Sequence, residues 1–156
     1  MPKELGYSEA RQKISKFCSF RERSPKEVED KLTGWGLEKD EITRLIKELS
    51  DMNFIHEQRF ANAFCHDKFE FNSWGKQKIK NSIYGHKLPD EVVEHALKMI
   101  EEERYLARIK ELFNKKWQLT KEDDLLKKKR KVFSFLTGKG FEPDLIWKTI
   151  ETGTNR

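Results

Sequence analysis

The chain has 156 residues, of which 38% are charged and 36% are hydrophobic. It holds no apolar run close to the roughly 20 residues that span a bilayer, and its first residues lack the apolar stretch of a signal peptide. Its two cysteines, Cys18 and Cys65, are too few for a disulfide framework. These features exclude membrane-spanning, secreted and disulfide-stapled proteins, and we expect a cytoplasmic protein.

The net charge is +5, from 32 basic and 27 acidic side chains. The excess is uneven, because residues 105–156 hold it whereas residues 1–104 are nearly neutral. It is densest in the run Lys127, Lys128, Lys129, Arg130 and Lys131. A local basic patch is therefore expected, and such patches are typical of surfaces that bind nucleic acid or another anionic partner.

The first third of the chain predicts three helices. The first covers residues 8–20, and the second starts at Ser24, where Pro25 and Glu27 complete a capping-box pattern. The second helix should end within residues 34–36, which read Gly-Trp-Gly. The third has the i, i+3, i+4, i+7 spacing of a one-faced helix, in Ile42, Leu45, Ile46 and Leu49.

The middle third follows the same plan. A helix over residues 56–71 precedes one that Ser73 would cap and Gly85 would end. The next helix opens near Pro89 and repeats the one-faced spacing in Val93, Ala96, Leu97 and Ile100.

The last third also predicts three helices. A helix over residues 105–117 precedes one capped by Thr120, with Asp123 at its third position. That second helix would end at Gly138 and Gly140, and the final helix, opening near Pro143, carries Ile146 and Ile150.

One apolar spacing recurs in all three thirds. Four apolar residues are separated by 4, 5 and 5 positions, beginning at Val28, Ile79 and Val132. The copies are offset by 51 and 53 residues, which indicates a tandem array. We therefore predict an all-α protein, an elongated tandem array of three three-helix repeats with about nine helices. The repeats would occupy residues 1–54, 55–104 and 105–156, the last being the basic repeat.

Residues typical of catalytic or metal sites are not grouped in this sequence. Neither a glycine-rich nucleotide-binding motif nor a nucleophile motif occurs. The adjacent pair Cys65 and His66 has no further ligand at zinc spacing. The acidic runs 101–103 and 123–124 fall at helix ends or in first turns, and Asp123 and Asp124 suit a helix N-terminus electrostatically. The sequence therefore predicts that the protein is not an enzyme and needs no metal or cofactor.

Two stretches are candidate contact sites. The cations of residues 127–131 wrap around a helix, and they would either attract a phosphate backbone or acidic protein surface, or form an ordinary solvated face. In the second stretch Trp74 precedes Lys76 and Lys78 at a helix start, so its ring could contact a partner. The remaining tryptophans are expected to pack between helices: Trp35, Trp117 and Trp147.

Three motifs, in order along the chain, resemble those of the RecX family. Residues 55–61 read Ile-His-Glu-Gln-Arg-Phe-Ala, which is similar to the family's acidic-x-Arg-Phe-Ala signature. Residues 75–88 resemble its middle repeat, and residues 135–146 resemble its closing motif of leucine followed by Gly-Phe. The resemblance covers roughly residues 8–152 and implies tandem three-helix repeats. The family-signature residues, to which we assign structural roles, are Glu57, Arg59, Phe60, Ala61, Gly75, Gly140 and Phe141.

The chain departs from the family pattern at two positions. His56 stands where the family has a second acid, so no role of a negative charge is carried over to this position. Asn53 replaces the usual glycine, and because Asn tolerates a left-handed backbone, the turn should survive. Phe60 and Ala61 would pack the helix into its repeat, while Glu57 would cap it or pair with Arg59 or a neighbouring repeat.

RecX proteins regulate the bacterial recombinase RecA. The resemblance implies a monomeric, non-enzymatic protein that lies in the groove of the RecA–single-stranded DNA filament. By bridging RecA subunits it would inhibit ATP hydrolysis, strand exchange and coprotease activity, or limit filament growth, and so act in homologous recombination, DNA repair and the SOS response. The cations of residues 127–131 would attract the filament, with Trp74, Lys76 and Lys78 as secondary contacts.

Direct DNA binding by the chain would be weak under this hypothesis. Two alternatives stay open. The chain could be a basic helical-repeat protein that binds DNA without RecA, or a helical scaffold for an unrelated protein.

Overall fold

A computed structural model describes residues 5–155 of the chain. Within this range the fold is all-α, with nine α-helices and a short 3₁₀ turn at Tyr84–His86. The helices are α1 Tyr7–Phe20, α2 Pro25–Gly34, α3 Lys39–Asp51, α4 Glu57–Asn72, α5 Lys76–Ile83, α6 Asp90–Lys98, α7 Glu102–Leu119, α8 Leu125–Gly138 and α9 Pro143–Thr154. The predicted array of three three-helix repeats is therefore confirmed. None of these helices is long and apolar enough to cross a membrane.

The second helix begins as its sequence predicts. The Ser24 hydroxyl accepts a hydrogen bond from the Glu27 amide at 3.1 Å, and the Glu27 carboxylate accepts one from the Ser24 amide at 3.1 Å. The two bonds satisfy backbone donors that the first helical turn leaves free, and the capping box is therefore confirmed.

Two other predicted N-caps are wrong. Ser73 closes α4 in a left-handed conformation, with φ 54°, and Gly75 precedes α5 instead. Thr120 closes α7, while Asp124 caps α8 by accepting a hydrogen bond from the Lys127 amide at 3.1 Å. Both errors have the same cause. The preceding helices continue to Asn72 and Leu119, so the hydroxyl residues end one helix before they could begin the next.

The exposed area fits an extended array. The chain exposes 10450 Å² to solvent, whereas a compact monomer of this mass would expose roughly 8,300 Å². The exposed surface is larger than that of a compact monomer because small repeats packed in a row bury less of their surface.

The buried apolar side chains form two separate cores. One belongs to the first repeat and contains residues from Ala10 to Ile55. The other begins at Phe60 and runs to Ile150, combining α4–α6 with α7–α9. The second and third repeats are therefore fused into one body, here called the 2–3 body, while the first repeat packs around its own core.

Two backbones interlock inside the 2–3 body. The Gly75 amide donates to the Lys139 carbonyl at 2.7 Å, and the Gln77 amide donates to the Gly140 carbonyl at 3.0 Å. A side chain at Gly75 would place its Cβ 2.3 Å from the Gly140 backbone. Gly140 itself has φ 98°, a conformation that favours glycine. Both glycines are thus required by the contact between the α4–α5 turn and the α8–α9 turn.

A buried tyrosine closes the same contact. The Tyr105 hydroxyl accepts from the Lys76 amide at 2.9 Å and donates to the Glu142 carboxylate. Its ring lies 5.4 Å from that of Phe141, centroid to centroid. Burial and the neighbouring Glu142 carboxylate raise the pKa of Tyr105, so its hydroxyl remains a donor. One side chain thereby joins the starts of α5 and α9.

Replacing Gly75 with alanine should open the 2–3 body. Because its Cβ would meet backbone atoms that cannot move aside, we expect Gly75→Ala to lower the free energy of unfolding by about 2 kcal/mol. Gly85→Ala is the matched control, since its Cβ meets no atom within 4 Å, and it should change stability by less than about 0.5 kcal/mol. Urea unfolding followed by circular dichroism measures both. Equal stabilities for the two variants would contradict the interlock.

The two cysteines report separately on the two cores. Burial raises the pKa of Cys18 to about 11 and that of Cys65 to about 12, so both thiols stay protonated near neutral pH. Thiol labelling at increasing urea should modify Cys18 before Cys65, because the core around Cys18 is smaller. Identical urea dependence of the two thiols would show a single cooperative core instead.

Candidate functional site

The run of five cations divides over several faces of α8. Lys127, Arg130 and Lys131 are exposed. Lys128 instead extends over the ring of Trp117, with its Nζ 4.3 Å from the ring centroid. Lys129 is half-buried. The run therefore presents three cations together rather than five, as expected when consecutive residues wrap around a helix.

An open basic groove lies between the end of α7 and the exposed face of α8. Two cations come from the α7 side, Lys116 and Lys121, and two come from the predicted run, Arg130 and Lys131. The remaining lining residues are Leu119, Thr120, Ser134 and Phe135. Sequence reasoning missed Lys116 and Lys121, because only the packing of α7 on α8 places them beside the run. Their signal in the sequence was the basic excess of the whole last third.

Charges within the basic groove are only partly compensated. Lys131 pairs with Glu122 at 3.2 Å, and the hydrogen bond from Lys131 lowers the pKa of that carboxyl. Lys116 covers the ring of Phe135, with its Nζ 4.7 Å from the ring centroid. The groove thus combines four cations with one aromatic ring, that of Phe135, and only Lys131 among these cations pairs with an acid, a combination suited to a polyanion.

A second cationic cluster surrounds Trp74. The Nζ atoms of Lys68 and Lys78 lie 5.0 and 4.7 Å from the Trp74 ring centroid. Lys139 donates to the Asn72 carbonyl at 2.9 Å, and burial together with the Lys78 charge lowers the pKa of Lys139. We call Lys68, Trp74, Lys78 and Lys139 the Trp74 cluster.

The Trp74 cluster adjoins the basic groove. Phe135, in the groove, and Lys139, in the cluster, are four residues apart at the end of α8, and so lie about one helical turn from each other. Lys76 is not part of the cluster, because its Nζ lies over the Tyr105 ring at 4.8 Å inside the interlock. Of the predicted secondary contacts, the structure therefore groups Trp74 and Lys78 and separates Lys76.

The other tryptophans pack within the fold, two of them against neighbouring rings. Trp117 lies 5.5 Å from Phe113, and Trp147 stacks on Phe133 at 4.5 Å, centroid to centroid. Trp35 is half-buried at the core of the first repeat. Trp147 still leaves 37% of its surface exposed.

The signature residues join the first repeat to the second. Arg59 Nε lies 2.7 and 2.6 Å from the two carboxylate oxygens of Glu22, in the first repeat. The guanidinium also donates to the Asn53 carbonyl at 2.9 Å. Asn53 has φ 61°, the left-handed conformation expected of the residue that replaces glycine there. Arg59 thus contacts both the turn at Asn53 and the neighbouring first repeat, through Glu22.

The remaining signature residues lie on either side of Arg59. Phe60 and Ala61 are buried in the core of the 2–3 body, and the Phe60 ring lies 4.7 Å from that of His86. His56, not Glu57, caps α4, since its Nδ1 accepts from the Arg59 amide at 3.1 Å. Glu57 is an exposed acid in the first turn of that helix. Histidine therefore supplies the cap.

Metal-binding groups are not clustered in residues 5–155, where three or more His, Cys, Asp or Glu side chains nowhere converge. His66 lies beside Asp67 at 3.1 Å, and Cys65 is buried.

Comparison with known proteins assigns each repeat separately. Residues 10–49, 57–97 and 102–150 match the first, second and third three-helix domains of RecX. The regulatory protein RecX of Clostridium botulinum (strain Eklund 17B / Type B) is 31% identical over 135 residues, which is 85% of this chain and 63% of that protein. Its counterpart in Clostridium perfringens (strain SM101 / Type A) is also 31% identical, with the same shares covered. The chain thus spans somewhat less than two thirds of these relatives.

Solved structures agree with the repeat assignment. The crystal structure of RecX from Lactobacillus salivarius superposes with a TM-score of 0.86 at 25% identity, covering 94% of this chain and 95% of that one. A second structure, of a regulatory protein RecX, superposes with a TM-score of 0.84 at 17% identity and shares the fold. Three repeats matched in order, together with the fold, show that this chain belongs to the RecX family of regulatory proteins.

Proposed function

We propose that this chain is a cytoplasmic, monomeric regulator of a RecA recombinase that lies in the groove of the RecA–single-stranded DNA filament. The observation that carries the proposal is the basic groove, in which Lys116, Lys121, Arg130 and Lys131 converge on one surface of the third repeat. The proposed partner, RecA, is inferred from membership of the RecX family, and the proposed contact surface is the basic groove.

Electrostatic attraction would guide the chain to the filament. Single-stranded DNA makes the filament a polyanion, and a concentrated cationic surface increases the rate at which such partners meet. The nearly neutral first two thirds of the chain would not compete for the same contact. The third repeat therefore makes the first contact in this proposal.

The extended body would then bridge neighbouring RecA subunits. A row of repeats offers a long interface, and the shared core of the 2–3 body would let it hold two subunits at a fixed spacing. Such a bridge would oppose the subunit rearrangements of the ATPase cycle. Inhibition of ATP hydrolysis, strand exchange and coprotease activity would follow, without catalysis by this chain.

One observation favours a second candidate function. The Trp74 cluster combines an aromatic ring with three cations, the combination by which proteins bind single-stranded nucleic acid without sequence preference. A helical-repeat protein that binds DNA without RecA would use the same surface. It would bind naked DNA as tightly as the filament.

Titration of the chain into a RecA ATPase assay should lower ATP hydrolysis at substoichiometric ratios. Each bridging molecule would restrict more than one RecA subunit, so the effect would precede saturation of the DNA. The assay uses cognate RecA on single-stranded DNA at near-physiological salt. A fall that begins only when the DNA lattice is covered would favour the second candidate, and unchanged hydrolysis at excess would contradict inhibition.

Charge reversal in the basic groove should weaken filament binding. For Lys121→Glu with Arg130→Glu we expect about a tenfold higher dissociation constant, equivalent to roughly 1.4 kcal/mol. The salt dependence should become shallower by about 1.5 in the log–log slope, because two phosphate contacts are lost. Fluorescence anisotropy on labelled filaments at several salt concentrations measures both quantities.

The matched control reverses two exposed lysines outside the third repeat. Lys16→Glu with Lys98→Glu changes the net charge by the same amount, on α1 and α6. If both double variants weaken binding equally, net charge rather than the basic groove attracts the filament. If neither does, the groove is not the contact.

A further inference from the structure

Two bodies meet at a narrow polar joint. The first repeat and the 2–3 body have separate cores, and their helices approach where α2 packs on the 3₁₀ turn. The chain passes between them through residues 54–56, which form no helix. This joint differs from that between the second and third repeats, where shared apolar side chains and backbone hydrogen bonds fix the geometry.

Two side-chain contacts join the facing surfaces of the bodies, in addition to the Arg59–Asn53 hydrogen bond beside the connecting segment. Ser24 Oγ and His86 Nδ1 are 2.7 Å apart, and Ser24 is fully buried. Glu22 and Arg59 form the ion pair described above, with 33% and 43% of their side chains exposed. The first contact joins α2 to the 3₁₀ turn, and the second joins the α1–α2 turn to α4.

A cleft separates the bodies beside these contacts. Its walls carry Arg21, Glu22 and Glu27 from the first repeat, and Asp67 and Lys68 from the second. Its floor is aromatic, formed by Phe60, Phe64 and His86. Because mixed charges and open space replace a shared core there, separation of the bodies would expose little apolar surface beyond the Phe60 and Phe64 rings.

We infer that the Ser24–His86 and Glu22–Arg59 contacts form a releasable latch, and that the first repeat swings as a rigid body about the short connection between Ile55, which is buried in the first core, and the start of α4 when they open. The inference is independent of what the basic groove binds. Since the Glu22–Arg59 pair is partly solvated, salt and charged partners compete with it. An opened latch would change the angle of the array while leaving its repeats folded.

His86 couples the latch to the 2–3 body. Its ring packs on Phe60 at 4.7 Å and Phe64 at 5.6 Å, while its Nδ1 faces Ser24. Glu27 Oε1 lies 3.9 Å from that nitrogen. A phenylalanine at this position would keep the ring contacts and remove the hydrogen bond to Ser24. His86→Phe therefore tests the hydrogen bond of the latch without removing the aromatic packing.

Distances between spin labels test the latch in the full chain. One label on α3, at Asp40→Cys, and one on α9, at Lys148→Cys, span the joint, while labels at Lys98→Cys and Lys148→Cys lie within the 2–3 body. All three sites are exposed, and the native thiols are buried. Glu22→Gln with His86→Phe should widen the first distance distribution about twofold, as expected for a freed domain, and leave the second unchanged.

Glu48→Gln is the matched control, because it removes an ion pair with Arg11 inside the first repeat. It should leave both distributions unchanged. An unaltered joint-spanning distribution in the Glu22→Gln, His86→Phe variant would overturn the latch. Broadening of both label pairs would overturn it too, because the contacts would then stabilise the 2–3 body itself.

Discussion

The close approach of two backbones at Gly75 and Gly140 determines how the repeats are arranged. Amide and carbonyl groups of the α4–α5 and α8–α9 turns form direct hydrogen bonds, which place the start of α5 against the α8–α9 turn of the third repeat. Tyr105 then reaches both turns, and the apolar side chains of six helices merge into one core. A three-helix unit of this size buries little surface alone, so the merger supplies stability that one repeat lacks.

The same arrangement concentrates the charge. The packing of α7 on α8 places two lysines of the α7 side beside two cations of α8, namely Lys116 and Lys121 beside Arg130 and Lys131. Lys128 lies outside this group, because its side chain packs over the Trp117 ring. The interlock brings Lys139 to the Asn72 carbonyl beside the α4–α5 turn and near the charge of Lys78, which lies with Lys68 over the Trp74 ring. Cations distant in sequence thereby form two adjoining surfaces.

The family signature has a different role. Arg59 spans from its own helix to Glu22 and the Asn53 turn, and Phe60 supports His86. These residues occupy the one joint where cores are not shared. In the array, the second and third repeats share one core, whereas the first repeat is attached to them through polar contacts. Such contacts are weaker than the packing of a shared core, because water competes for the polar groups.

Sequence alone determined the helices, their threefold repetition and the position of the basic excess, because apolar spacing, caps and composition are local properties. Ser24 and Glu27 cap α2 as predicted, while Ser73 and Thr120 do not cap, since the length of the preceding helix depends on its packing. Tertiary packing sets which repeats share a core, which cations face the basic groove and why Lys76 is separate from the Trp74 cluster. Those outcomes depend on contacts between residues up to 67 positions apart, such as Lys139 with Asn72, and no local pattern records such contacts.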